Sequence, residues 1–109
     1  MKQSYDFRPK PVEHIVSTGI VTTVIRYNIT ARKDGIYECE ETEYNHRGPL
    51  SSDDYGPMVS AVIRSRYSQD QVEAITQNYL ADPSSHEQEF LSLQDWRNEA
   101  KRIVKDIDL

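Results

Sequence analysis

The sequence predicts an α+β domain, with an N-terminal antiparallel β-hairpin or three-stranded meander over residues 12–47 packed against three C-terminal helices over residues 52–108. Three observations carry this expectation. Residues 12–31 concentrate Val, Ile and Thr, whose branched side chains suit a pleated surface. Lys33-Asp34-Gly35 then supplies a hairpin signal. Beyond Gly48-Pro49 the apolar spacing changes to a 3.6 period, and capping residues recur. A chain of 109 residues has room for one domain and one core. Residues 1–11 are expected to form a flexible arm.

In the strand region, Gly19 marks either a bulge in one long strand or a turn between two. The hairpin register follows from parity. A two-residue turn at Asp34-Gly35 would mix apolar and charged residues on both faces. A three-residue loop, Lys33-Asp34-Gly35, pairs Ala31 with Tyr37 and Ile29 with Cys39, and it sets Thr30 against Glu38 and Asn28 against Glu40. Gly35 then occupies the left-handed position of a G1 bulge. Alternation places Glu38 and Glu40 on one face and Glu41 and Glu43 on the other, with Arg26 and Arg32 as expected partners.

The helical region opens after the linker Gly48–Ser52. Ser52, Asp53 and Asp54 offer caps, and Pro57 is tolerable only near a helix start. Tyr55, Met58, Val59, Val62, Ile63 and Arg66 follow one stripe. Ser68-Gln69-Asp70-Gln71 is a capping box for a second helix, with Val72, Ile75, Thr76, Tyr79 and Leu80 on one side, which Pro83 ends. Ser84-Ser85-His86-Glu87 reads as another capping box. It opens a long third helix with Phe90, Leu93, Trp96, Ala100, Ile103, Val104 and Ile107 near one face. That stripe must be buried on the sheet, on the other helices or on a second copy of the chain, so a homo-oligomer is one expected arrangement.

Charge and composition narrow the function classes. Thirteen basic against eighteen acidic residues give a formal charge of -5, which argues against sequence-independent nucleic-acid binding. Residues 1–49 hold seven basic and seven acidic side chains, whereas residues 50–109 hold six and eleven, so the acidic excess travels with the helices. No apolar run approaches the ~20 residues of a membrane span, and the N-terminus lacks the apolar core of a secretory signal. One cysteine excludes an intrachain disulfide. His14 falls on a strand, His46 in a polar turn and His86 in a helix-cap region, without a metal spacing, and no nucleophile elbow frames a serine. The four glycines form no phosphate loop. Cys39 reads as a small buried hydrophobe and Trp96 as a core anchor. No catalytic residue, cofactor or metal is therefore expected.

Several segments together resemble a known family. These are Asp34-Gly35-Ile36-Tyr37-Glu38-Cys39-Glu40-Glu41, the run Met58 to Ser68, Val72-Glu73-Ala74-Ile75, Asn78-Tyr79-Leu80 and Phe90 to Lys101. Across residues 34–101 the chain resembles small prophage proteins of XkdW-like type, encoded near phage tail genes. The closing Trp96-Arg97 element is similar to the C-terminus of tail-fibre assembly proteins. The resemblance implies a tail-associated or assembly role and transfers no catalytic residue.

The expected function is accordingly non-enzymatic: a phage-derived tail component or assembly factor, cytoplasmic or virion-associated, that binds another protein such as a phage tail component. The alternative is a small acidic regulator or inhibitor that meets a basic partner. The expected contact surface is Asp53, Asp54, Asp70, Glu73, Glu87 and Glu89, although these positions near helix starts also suit the helix dipole. Neither nucleic acid nor membrane is an expected partner.

Overall fold

A computed structural model describes residues 2–107; Met1 of the expected arm and Asp108 of the expected helical part lie outside the described residues. The described chain is α+β. Four strands, β1 (Lys2–Tyr5), β2 (Val12–Ser17), β3 (Ile20–Ala31) and β4 (Tyr37–His46), form one antiparallel sheet in the order β1-β4-β3-β2. A 3-10 turn at Ser52–Asp54 then leads into α1 (Tyr55–Arg64), α2 (Gln69–Ala81) and α3 (Pro83–Lys105).

The meander β2-β3-β4 follows the β-branched run. Gly19 makes a turn rather than a bulge: Thr18 and Gly19 both take positive φ (53° and 78°) between paired Ser17 and Ile20, as a tight two-residue hairpin requires. The second hairpin keeps the predicted pairs Ala31–Tyr37 and Thr30–Glu38, and Gly35 has φ 84°. Beyond those pairs the register departs from expectation. Tyr27, not Asn28, stands opposite Glu40, because the register shifts between Tyr27 and Thr30. Asn28 has φ 53°, a conformation Asn tolerates better than most residues, and its amide donates to Glu40 at 2.7 Å. The bulge changes which face each upstream residue of β3 presents.

Residues 2–5 are not an arm. They add β1 to the β4 edge, with Gln3 opposite Cys39 and Tyr5 opposite Tyr37. Lys2-Gln3-Ser4-Tyr5 has no β-branched residue, so propensity does not mark it. Tertiary contacts fix it instead: the Tyr5 hydroxyl bonds Glu41, and the Arg26 guanidinium lies 5.2 Å from the Tyr5 ring centre. The chain then crosses from one sheet edge to the other on the Arg26 side, where Arg26 donates to the Lys10 carbonyl at 3.0 Å.

The helices cover the other face. Ile25 and Tyr27 meet Met58, Val59 and Val62 of α1 and Trp96, Ala100, Ile103 and Val104 of α3 in one cluster. The capping box belongs to the 3-10 turn, whose N-cap is Ser51 rather than Ser52; Asp54, one of the expected caps, is the N-cap of α1 by position but makes no side-chain cap bond there. The Ser51 hydroxyl accepts from the Asp53 N–H while the Asp54 carboxylate accepts from the Ser51 N–H, so the 3-10 turn extends the helix start by one step. The Ser68/Gln71 capping box forms as predicted. The Ser84–Glu87 box does not, because α3 starts earlier, with Pro83 in its first turn; the fixed φ of proline is already helical there. With α2 ending at Ala81 and α3 starting at Pro83, the two helices fold back as a hairpin whose Tyr79 and Phe90 rings stack at 4.0 Å. The result is a flat molecule, 46 × 39 × 21 Å, with a radius of gyration of 16.1 Å, against about 13 Å for a compact domain of this size.

Candidate functional site

The six carboxylates expected to form one surface occupy separate places. Asp53 and Asp54 sit in the 3-10 turn, where Asp54 is tied to Ser51 and accepts from the Tyr44 hydroxyl at 2.7 Å. The Tyr44 bond, aided by the Ser51 backbone, holds the Asp54 carboxyl below its usual range. Asp70 lies in the first turn of α2, with Glu73 one turn on, whereas Glu87 and Glu89 lie near the start of α3. Because the hairpin reverses direction, those two pairs stand toward its opposite ends. Asp54 is thus a structural residue, and Asp70, Glu73, Glu87 and Glu89 belong to the α2–α3 hairpin.

That hairpin has a character the helical stripes did not reveal. No Lys or Arg occurs between Arg66 and Arg97, although Asp70, Glu73, Asp82, Glu87, Glu89 and Asp95 fall in that interval. Leu80 is 69% exposed and Leu91 48% exposed on the same hairpin. The length of chain without a basic residue was the available sequence signal. The sequence pattern puts Leu80 on the apolar side of the second helix, yet the fold leaves it exposed; Leu91 sits off the stripe of the third helix, so periodicity passes over it.

The base of the hairpin is pinned by Arg66. Its Nε donates to Glu40 at 2.9 Å, a second nitrogen bonds the other Glu40 oxygen, and the guanidinium lies 3.7 Å from the Trp96 ring centre. This arginine is occupied, which leaves little of it for a phosphate. The Arg66 bonds, aided by Asn28 and opposed by burial, hold the Glu40 carboxyl below its usual range. A carboxyl depressed in the folded state contributes stability that is present above its unfolded pKa, about 4.3, and is lost as pH falls through the folded value. Wild type should therefore be more stable than Glu40→Gln at neutral pH, and thermal melting should show that advantage vanish in acid. A stability gap independent of pH would contradict this assignment.

Three strands also carry a polar chain that sequence spacing could not show. His46 closes β4 rather than lying in a turn. Its Nδ1 bonds the Gly48 carbonyl at 3.0 Å, and a carbonyl only accepts, so Nδ1 carries a proton. In neutral His46 the Nε2 then accepts from the Thr23 hydroxyl at 2.6 Å. The Thr23 oxygen in turn accepts from His14 Nδ1 at 2.9 Å. The chain ties the three strands together, and Thr23 is fully buried, so its hydroxyl is out of reach of a substrate. Cys39 is buried too; burial first, then Glu41, pushes its thiol pKa up, away from the thiolate a nucleophile needs. Among the described residues, no group of three or more His, Cys, Asp or Glu is placed to hold a metal ion, and no helix is long and apolar enough to cross a membrane.

The Glu-rich strand β4 uses its carboxylates as partners. Arg26 and Arg32 are partners of these glutamates, as expected: Arg26 pairs with Glu41 at 3.1 Å and Arg32 with Glu38 at 3.4 Å. No family model, curated protein or solved structure significantly matches the chain.

Proposed function

We propose that the chain is a binding protein rather than an enzyme, a tail-associated component or assembly factor of a phage-derived system that engages another protein through the α2–α3 hairpin. The observation that carries this reading is the exposure of Leu80 and Leu91 on the part of the hairpin between Arg66 and Arg97, which holds no Lys or Arg. Apolar side chains framed by one sign of charge suit a protein contact: the leucines supply burial, and the carboxylates steer the encounter and set its specificity. The likeness of residues 34–101 to small prophage proteins supplies the tail-gene context.

The test is binding to the products of neighbouring tail genes, measured by calorimetry with purified proteins. Leu80→Ser combined with Leu91→Ser should weaken binding at least about tenfold, a loss of about 1.4 kcal/mol, and leave melting unchanged, since neither side chain is in the core. Binding at wild-type strength would sink the reading. Neutralising Asp70 and Glu73 separates contact from capping. A contact role slows association and flattens its salt dependence, whereas a capping role lowers stability and spares binding.

The base-free interval also favours a second reading, a small acidic regulator that covers a basic partner surface. There the carboxylates would dominate: raising salt would abolish binding, and the serine variants would retain most of it.

A further inference from the structure

The two edges of the sheet are built differently. The β1 edge is four residues long and carries Lys2, one of the usual devices against edge-to-edge pairing. The β2 edge, Val-Glu-His-Ile-Val-Ser, has neither lysine nor proline, and five of its six residues are exposed. Its single charge, Glu13, is already bonded to Arg26 at 3.0 Å. Ile15 is 50% exposed and Val16 73%.

The hydrogen-bond pattern of this edge is fixed by its own hairpin. Arg26 N–H donates to the Pro11 carbonyl at 2.8 Å, so Pro11 and Arg26 are a bonded pair. Antiparallel ladders alternate bonded and non-bonded pairs. Glu13–Val24, Ile15–Thr22 and Ser17–Ile20 are therefore the bonded pairs of β2 with β3. Val12, His14 and Val16 turn their N–H and C=O groups outward, to the open edge.

We propose that this chain forms a two-fold symmetric dimer by antiparallel pairing of β2 with β2 of a second copy, centred on His14. Only one register uses every outward group. It places Val12 against Val16 of the other copy, His14 against its own counterpart, and Val16 against Val12, so that each of these pairs exchanges both of its bonds. The edge is thus its own complement, and pairing with a second copy leaves none of its outward groups unmet. The two-fold axis stands perpendicular to the sheet. The two sheets join into one, and both sets of helices remain on the same side. On the helix side, Val16 of each copy covers Val12 of the other; on the opposite side Ile15 meets the aliphatic stem of Glu13. This surface includes none of the hairpin residues discussed above, so it stands or falls independently of that reading.

Sedimentation equilibrium of the full chain tests it. The expected mass at high micromolar concentration is twice the 12.7 kDa of one chain, falling toward one chain on dilution. Val16→Pro removes an outward N–H and leaves the β2–β3 ladder intact. It should weaken dimerisation at least tenfold with an unchanged circular dichroism spectrum. Val16→Lys keeps every backbone group and places a charge on the joint, so it gives the same answer should the proline variant fail to fold. The register has its own readout: a Glu13→Cys chain mixed with an Ile15→Cys chain should form a disulfide between copies on mild oxidation, because those positions face each other as a non-bonded pair. A wild-type chain that stays monomeric at all concentrations overturns the proposal. So does a folded Val16→Lys variant that dimerises like wild type, or a dimer in which the cysteine pair does not cross-link.

Discussion

Trp96→Ala should destabilise the protein by roughly 3–5 kcal/mol, a large share of the 5–15 kcal/mol available to a small domain. Trp96 is buried and joins sheet to helices. Its ring lies 5.5 Å from the Tyr27 ring centre, and Arg66 covers its other neighbourhood at 3.7 Å. The indole N–H donates to the Ile63 carbonyl at 3.2 Å. That bond is not the main cost of the substitution, because the same carbonyl also accepts from the backbone N–H groups of Arg66 and Tyr67. Losing the indole leaves it satisfied. What is lost is buried aromatic area, and a cavity is left beneath Arg66, in a core only one layer of helices deep. Trp96→Phe should cost visibly less, since it keeps a ring against Tyr27. Urea unfolding followed by circular dichroism is the suitable measurement, because the substitution removes the only tryptophan fluorophore. A Trp96→Ala variant that unfolds at the wild-type midpoint would show that Trp96 serves an interface instead.

The parts legible in the sequence are those governed by local rules. The Lys33-Asp34-Gly35 loop was readable because turn chemistry and parity agree there, and the Ser68/Gln71 cap because its signature is short-range. Sequence reasoning fell short where a distant contact decides. The bulge at Asn28-Ile29 leaves no compositional mark, yet it puts Ile25 and Tyr27 on the helix side with Thr23. β1 has weak strand propensity and depends on Tyr5 reaching Arg26 and Glu41. The candidate site was harder still. The carboxylates of the helices were visible one by one, but their separation depends on how the hairpin folds back. Leu91 belongs to no stripe, and Leu80, read on the apolar side of the second helix, stays exposed. Nor could spacing show that His14, Thr23 and His46 align across three strands, because register, not sequence distance, brings them together.

Removing the Arg26 side chain should have the second large effect, about 3 kcal/mol for Arg26→Ala. Arg26 is 9% exposed, on the face of the sheet away from the helices. There it holds three separate pieces of chain together. Its Nε donates to Glu41 of β4, and one terminal nitrogen donates both to Glu13 of β2 and to the Lys10 carbonyl in the crossing segment. Burial pulls its pKa down, but the bonds to Glu13, Tyr5 and Glu41 outweigh that and hold it above its usual value, so it is charged throughout the accessible pH range. Glu13 is about half exposed and recovers water when the guanidinium goes. Glu41 has a side chain only 16% exposed and recovers little, so most of the penalty falls there. This makes the effect separable. Arg26→Met keeps the aliphatic bulk and removes the guanidinium charge beside the Glu41 carboxylate, which keeps its Tyr5 bond but sits in a poorly solvated site. Adding Glu41→Gln to Arg26→Met should restore part of the loss, and the double-mutant cycle then measures the coupling between the two positions. The crossing segment supplies a local readout: amide exchange at Asp6, Phe7, Arg8 and Lys10 should accelerate in Arg26→Met, because the Lys10 carbonyl loses its donor. An Arg26→Met variant with wild-type stability and unchanged exchange would mean that β1 and the crossing segment are held by the packing of Tyr5 and buried Pro9 instead.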